Sequence, residues 1–217
     1  MKRAAGGSWR SFRPEMASTA RVAVAPTCRI LGLDPGSLRT GYGLIDCDAG
    51  GERHLASGCI AVAGADFVMR LRRIFEAVAA LVAEHRPDEI AIERVFVHRN
   101  PDSALKLGQA RGAALCAAVA HGAAAHEYAP RAIKLAVSGY GGAEKDQVAQ
   151  MVTLLLQLKQ RPGADEADAL AVALCHAQTR RLASIVSAPA VGIRGGARVA
   201  ARAGATRANT TRGGARP

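Results

Sequence analysis

Residues 29–37, Arg29-Ile30-Leu31-Gly32-Leu33-Asp34-Pro35-Gly36-Ser37, decide how this chain is read. A short apolar run stops at Asp-Pro-Gly, so a core strand is predicted to end in a tight turn with an acid at its tip. Gly41 to Asp46 and Leu55 to Ala63 read as two further strands, joined through Asp48, Gly50 and Gly51, and the three make an antiparallel meander. Downstream the period changes. Phe67, Leu71, Ile74, Phe75, Val78, Leu81 and Val82 recur at helical spacing and predict a helix with one buried face. Glu89 to Glu93 is a fourth strand, Ser103 to His121 a helix and Ala124 to Tyr128 a fifth strand. A short helix opens at Pro130, another spans Lys145 to Leu158, and the last runs from Asp165 to Arg181. This order of elements implies an α/β protein with a mixed five-stranded sheet flanked by helices.

The formal charge of +11 does not by itself mark a nucleic-acid surface, because the excess sits at the ends. Residues 1–27 carry five bases against one acid, and residues 183–217 carry six arginines and no acid. Both lack periodicity and are expected to be disordered extensions of one folded unit, residues 28–182. Inside that unit the bases concentrate between Glu93 and Pro162, the segment expected to face phosphates. The five cysteines are odd in number and scattered, with no C-x-x-C pair, which argues against a zinc or disulfide framework. No apolar run reaches the roughly 18 residues of a membrane span. Met1 to Arg21 lacks the apolar stretch of a secretory signal, so the expected compartment is the cytoplasm.

Four acids fall where strands end or where a helix begins: Asp34, Glu93, and the pair Asp165 and Asp168, three apart on one side of the last helix. Singly, each has an ordinary explanation. Asp34 can initiate a turn, Asp165 can cap a helix, and Asp168 can answer its dipole. Glu93 is harder to explain that way, since a lone carboxylate after Ile90-Ala91-Ile92 pays for burial or takes up a proton. If the four converge, their repulsion is relieved only by cations. All-oxygen donors, with no Cys or His at metal spacing, select Mg²⁺ first and Mn²⁺ as a substitute. Two such ions about 4 Å apart suit in-line phosphoryl displacement.

Several stretches carry a resemblance. Ile30-Leu-Gly-Leu-Asp-Pro-Gly-Ser37 with Thr40-Gly-Tyr-Gly43, Ala91-Ile-Glu-Arg-Val-Phe96, Asn100 to Gly112, Ala143-Glu-Lys-Asp-Gln-Val148 and Asp165-Glu-Ala-Asp-Ala-Leu-Ala171 resemble, in order, the motifs of the RuvC family of Holliday-junction resolvases. The likeness spans about residues 28–182, and the element order is that of the ribonuclease H-like fold. It implies that Asp34, Glu93, Asp165 and Asp168 are metal ligands and catalytic acids, with two Mg²⁺ per subunit. It further implies a homodimer that nicks opposed strands of a four-way DNA junction to leave 5′-phosphate and 3′-hydroxyl ends, served by a branch-migration helicase complex. Lys145, at a helix N-terminus behind a glycine-rich lead-in, is the candidate for steadying the scissile phosphate. Phe96 is the candidate aromatic wedge at the junction centre. Lys134, Ser103 and Arg111 are further candidate DNA contacts, with His98 near the same loop. The many small residues between Ala104 and Ala120 allow close packing, either on the chain's own sheet or across a two-fold axis.

Other classes remain to be weighed. An actin-like ATPase shares the Asp-Pro-Gly opening but needs a second subdomain. A non-cleaving junction-binding protein would have lost an acid, and none is lost. An RNA-processing nuclease of the same fold is separated by comparing RNA with junction DNA as substrate.

Overall fold

The computed structural model describes residues 27–95 and 101–187. Strands β1 (Cys28–Asp34), β2 (Arg39–Asp48) and β3 (Gly51–Ala61) form the expected antiparallel meander. Helix α1 (Phe67–His85) follows, capped by Asp66, whose carboxylate accepts from the Met69 N–H at 3.0 Å. Strands β4 (Glu89–Glu93) and β5 (Ala124–Tyr128) flank α2 (Pro101–Val119) and continue the sheet in parallel beside β1. The sheet order is β3-β2-β1-β4-β5. Three helices then close the chain, as the spans from Pro130, Lys145 and Asp165 predict: α3 (Pro130–Ser138), α4 (Lys145–Leu155) and α5 (Ala164–Ser187).

Residue parity along the strands divides the core into two layers. Leu31, Leu33, Ile90 and Ile92 point to one face, where they pack with Ile74, Val78 and Val82 of α1 and with Ala110, Ala114 and Ala117 of α2. Ile30 and Ala91 point to the other, against Ile133, Val148, Val152 and Leu170 to Leu174 of α3, α4 and α5. By the same parity Asp34 and Glu93 belong to the α5 face.

Several helix ends differ from the expected boundaries, and α2 spans Pro101–Val119 where Ser103 to His121 was expected. Helix α4 stops at Leu155 rather than Leu158, because Gln157 adopts a left-handed φ of 51° and the Leu158 N–H turns back to the Thr153 carbonyl at 2.9 Å. Helix α5 runs through Ser187, beyond the expected end at Arg181, and the next proline in the sequence is Pro189. Among the described residues no helix is long and apolar enough to cross a membrane.

Candidate active site

Glycine brings α5 onto the sheet. Gly32 of β1 and Gly43 of β2 are register partners, and Asp34 is the partner of Gly41. A Cβ at Gly41 would lie 1.9 Å from the Asp165 carbonyl oxygen, and one at Gly32 would lie 2.2 Å from the Ala169 carbonyl oxygen. Neither helix nor strand has room to spare, so bare backbone at these positions lets α5 cross β1 and β2 in direct contact. That crossing sets the first turns of α5, with Asp165 and Asp168, against the tip of β1.

Glu93 comes to the same end of the sheet along β4, which runs parallel to β1 with Leu33 opposite Ile92. Burial, and then the neighbouring charges of Asp168 and Asp165, push the Asp34 carboxyl up to about 6. Burial, and then Asp34 and Asp168, push Glu93 up to about 7. Lys145, the first residue of α4, answers part of this charge: its ammonium donates to Asp168 Oδ2 at 2.7 Å, which raises the lysine's own pKa. The end of α4 that presents it is fixed by Gln147, whose side chain accepts from the Glu144 N–H at 2.9 Å. Glu93, Lys134, Lys145 and Asp168 line one cavity of about 250 Å³. A larger groove of about 990 Å³, between the β2–β3 hairpin and the segment joining α4 to α5, contains none of the four acids.

The expected carboxylates therefore meet, with one difference in arrangement. Glu93 and Asp168 line the cavity with Lys145, and Asp34 is near enough for the charges of Asp168 and Lys145 to act on it. Asp165 lies at the cavity's edge, where Oδ2 accepts from Arg39 Nε at 2.6 Å and from the Cys59 thiol at 3.5 Å. Sequence reading missed both partners. Only Arg39's charge hinted at a role, and nothing in the local pattern aimed it 126 residues ahead.

Arg111, a candidate DNA or structural contact, is engaged inside the molecule. Its Nε donates to the Glu93 carbonyl at 3.2 Å, and its guanidinium pairs with Glu127 at 2.8 Å, so it ties α2 to the ends of β4 and β5. Ser103 is exposed in the first turn of α2, and Lys134 is on α3 at the cavity wall. Phe96 and His98 lie outside the described residues.

The donor set suits hard divalent ions. Three carboxylates crowd together, two of them driven toward protonation, and one lysine is too little to neutralise them.

Comparison with known proteins gives a consistent result. Residues 30–176 match the family model described as crossover junction endodeoxyribonuclease RuvC. The chain is 57% identical over 148 residues to the protein of that name from Marinobacter nauticus, covering 68% of this chain and 85% of that one. It is 54% identical over 159 residues to the one from Methylococcus capsulatus, covering 73% and 96%. Among solved structures it is similar to Thermus thermophilus RuvC, with a TM-score of 0.66, 34% identity and coverage of 71% and 96%. It is equally similar to the T. thermophilus protein in complex with a Holliday junction substrate, with a TM-score of 0.68, 34% identity and coverage of 72% and 97%. The yeast mitochondrial Holliday junction resolvase Ydc2 shares the fold at 11% identity, with a TM-score of 0.55 and coverage of 76% and 85%. The mixed sheet and its flanking helices are thus the ribonuclease H-like architecture expected from the element order.

Proposed function

This chain belongs to the RuvC family of crossover junction endodeoxyribonucleases, and from that premise we propose that it resolves four-way DNA junctions by paired hydrolytic nicks at the pocket formed by Asp34, Glu93, Asp168 and Asp165. The observation that carries the assignment is the convergence of half-buried, mutually repelling carboxylates from β1, β4 and α5 beside Lys145.

Asp34, Glu93, Asp168 and the free oxygen of Asp165 are the residues to hold two divalent ions, Mg²⁺ with Mn²⁺ as substitute. When bound, these would supply positive charge at the scissile phosphate and a more acidic attacking water. The chain's own groups do the rest. Arg39 orients the Asp165 carboxylate, and Arg111 fixes the end of β4 through the Glu93 carbonyl. Lys145 holds Asp168 in the free protein and offers its charge to the phosphate as DNA enters. Water attacks phosphorus and the bond to the 3′ oxygen breaks, leaving a 5′-phosphate and a 3′-hydroxyl. Lys134 and Ser103 flank the strand's path, and Phe96 stacks at the junction centre.

One pocket can only nick, so symmetric resolution needs a second copy. The outward face of α2 suits that contact. Leu105, Gly108, Cys116 and Val119 are exposed along it, and a Cβ at Gly108 or Gly112 would meet nothing within 4 Å. The setting is the cytoplasm, with a branch-migration helicase complex presenting the junction.

The test is a synthetic mobile four-way junction incubated with and without Mg²⁺, with nicks mapped on all four strands. Symmetric nicks on one opposed pair, lost in chelator, are expected. Unchanged hydrolysis in excess chelator would sink the metal reading. Preferential cutting of structured RNA would move the chain to RNA processing.

A further inference from the structure

At the far end of β4 from Glu93, a second group of metal-binding side chains comes together. Among the described residues, Glu89 of β4, His126 of β5 and His176 of α5 place one ligand atom each within 4.8 Å of one another. In sequence they are 37 and 50 residues apart, so no spacing rule finds them. Strand register puts them on one face: Glu89 is opposite Ala124, and Ala91 is opposite His126. Glu89 and Glu93 share a side of β4 but are four residues apart, about 13 Å in an extended strand, so this group is separate from the catalytic acids.

We propose that Glu89, His126 and His176 form a binding site for a borderline transition metal, Zn²⁺ above all, with one position left to water. Two imidazole nitrogens and one carboxylate oxygen are a donor set for zinc, whereas the all-oxygen pocket selects Mg²⁺. The next layer of contacts is that of a built site. His176 is buried, and its Nδ1 lies 2.6 Å from the Tyr128 hydroxyl while Nε2 lies 2.5 Å from Glu89. The tautomer that donates Nδ1–H to Tyr128 leaves the Nε2 lone pair facing Glu89 and His126. The two imidazoles stack with centroids 4.4 Å apart, so both rings face the same space beside Glu89.

Two adjustments accompany loading. Tetrahedral zinc with ligands at about 2.0–2.2 Å draws donor atoms to about 3.4 Å of each other, and His126, at 42% exposure, is the member with room to move. The Arg180 guanidinium, 2.9 Å from Glu89, must release one side of the carboxylate; it is 40% exposed and can turn to solvent. Water completes the coordination. The bound ion would pin the C-terminal half of α5 to β4 and β5, and α5 is the helix whose first turns carry Asp165 and Asp168.

The experiment uses the full chain, stripped with chelator, given ZnCl₂ and dialysed into metal-poor buffer, with zinc per chain and Tm as readouts. Wild type and the Asp34→Asn/Glu93→Gln double variant should each keep one zinc and gain about 5 °C or more. His126→Ala, and independently Glu89→Gln, should lose both effects, and His126→Ala should still nick junctions in Mg²⁺. The proposal is overturned if wild type keeps no zinc, if the acid variant loses it, or if His126→Ala and Glu89→Gln keep as much as wild type. Because the readouts are zinc content and Tm, failure here would leave the nuclease assignment standing.

Discussion

Asp34 and Glu93 hold charge where the fold resists it. With carboxyl pKa values raised to about 6 and about 7, the native state binds protons that the unfolded chain has already lost. The sign follows from linkage: in the metal-free protein this pair adds stability as pH falls from about 7 toward the unfolded values near 4, and subtracts it as pH rises through 7. Thermal melts in chelator should therefore show a lower Tm at pH 8 than at pH 5.5, and Asp34→Asn should shrink that difference. Millimolar Mg²⁺ should recover most of the loss at pH 8 in wild type but not in Asp34→Asn. The same substitution should reduce junction nicking by about 100-fold or more while leaving gel-shift affinity largely intact, because it removes charge from the reacting centre but none of the basic contacts. Near-normal cleavage by Asp34→Asn would move the active site elsewhere.

At the scale of elements, the contact between α5 and the β1–β2 pair controls the pocket. Gly41 accepts the Asp165 carbonyl against bare backbone, so Gly41→Ala must lift the helix or tear the strand pair. The expected cost is about 1–3 kcal/mol of stability, with nicking falling further than junction binding, as displaced acids lose their geometry. A denaturation midpoint and a nicking rate both equal to wild type would show that α5 does not need this approach. The elements themselves were legible. Short runs bounded by turn residues marked the strands, and the Phe67 to Val82 spacing marked α1, since both signals are local. The ends were less so. Gln157 stops α4 by adopting a conformation that its residue type does not announce, and α5 continues through Ser187 because nothing in 182–187 breaks it.

For the whole molecule, the outward face of α2 and the basic ends set the remaining expectations. Gly112→Glu puts charge on a face that is open in the single chain, so it should leave the fold intact and convert a dimer to monomer in sedimentation. A variant that stays dimeric would place the two-fold axis elsewhere. Removing residues 188–217, which hold six arginines, should weaken junction binding most at low salt and leave the Mg²⁺-dependent nicking rate at saturation unchanged. Loss of nicking at saturation would give the tail a role beyond charge.

The residues by themselves determined the strands and helices, the helix-flanked mixed sheet and the four acids worth watching, because hydrophobic period and turn chemistry act over a few positions. Only the tertiary structure decided which groups touch. It turned Asp165 toward Arg39, drew Arg111 inward to the Glu93 carbonyl, and gathered Glu89, His126 and His176 at the other end of the sheet. Such meetings depend on sheet order and on how closely one helix can approach two strands, and neither is written within any single stretch of the chain.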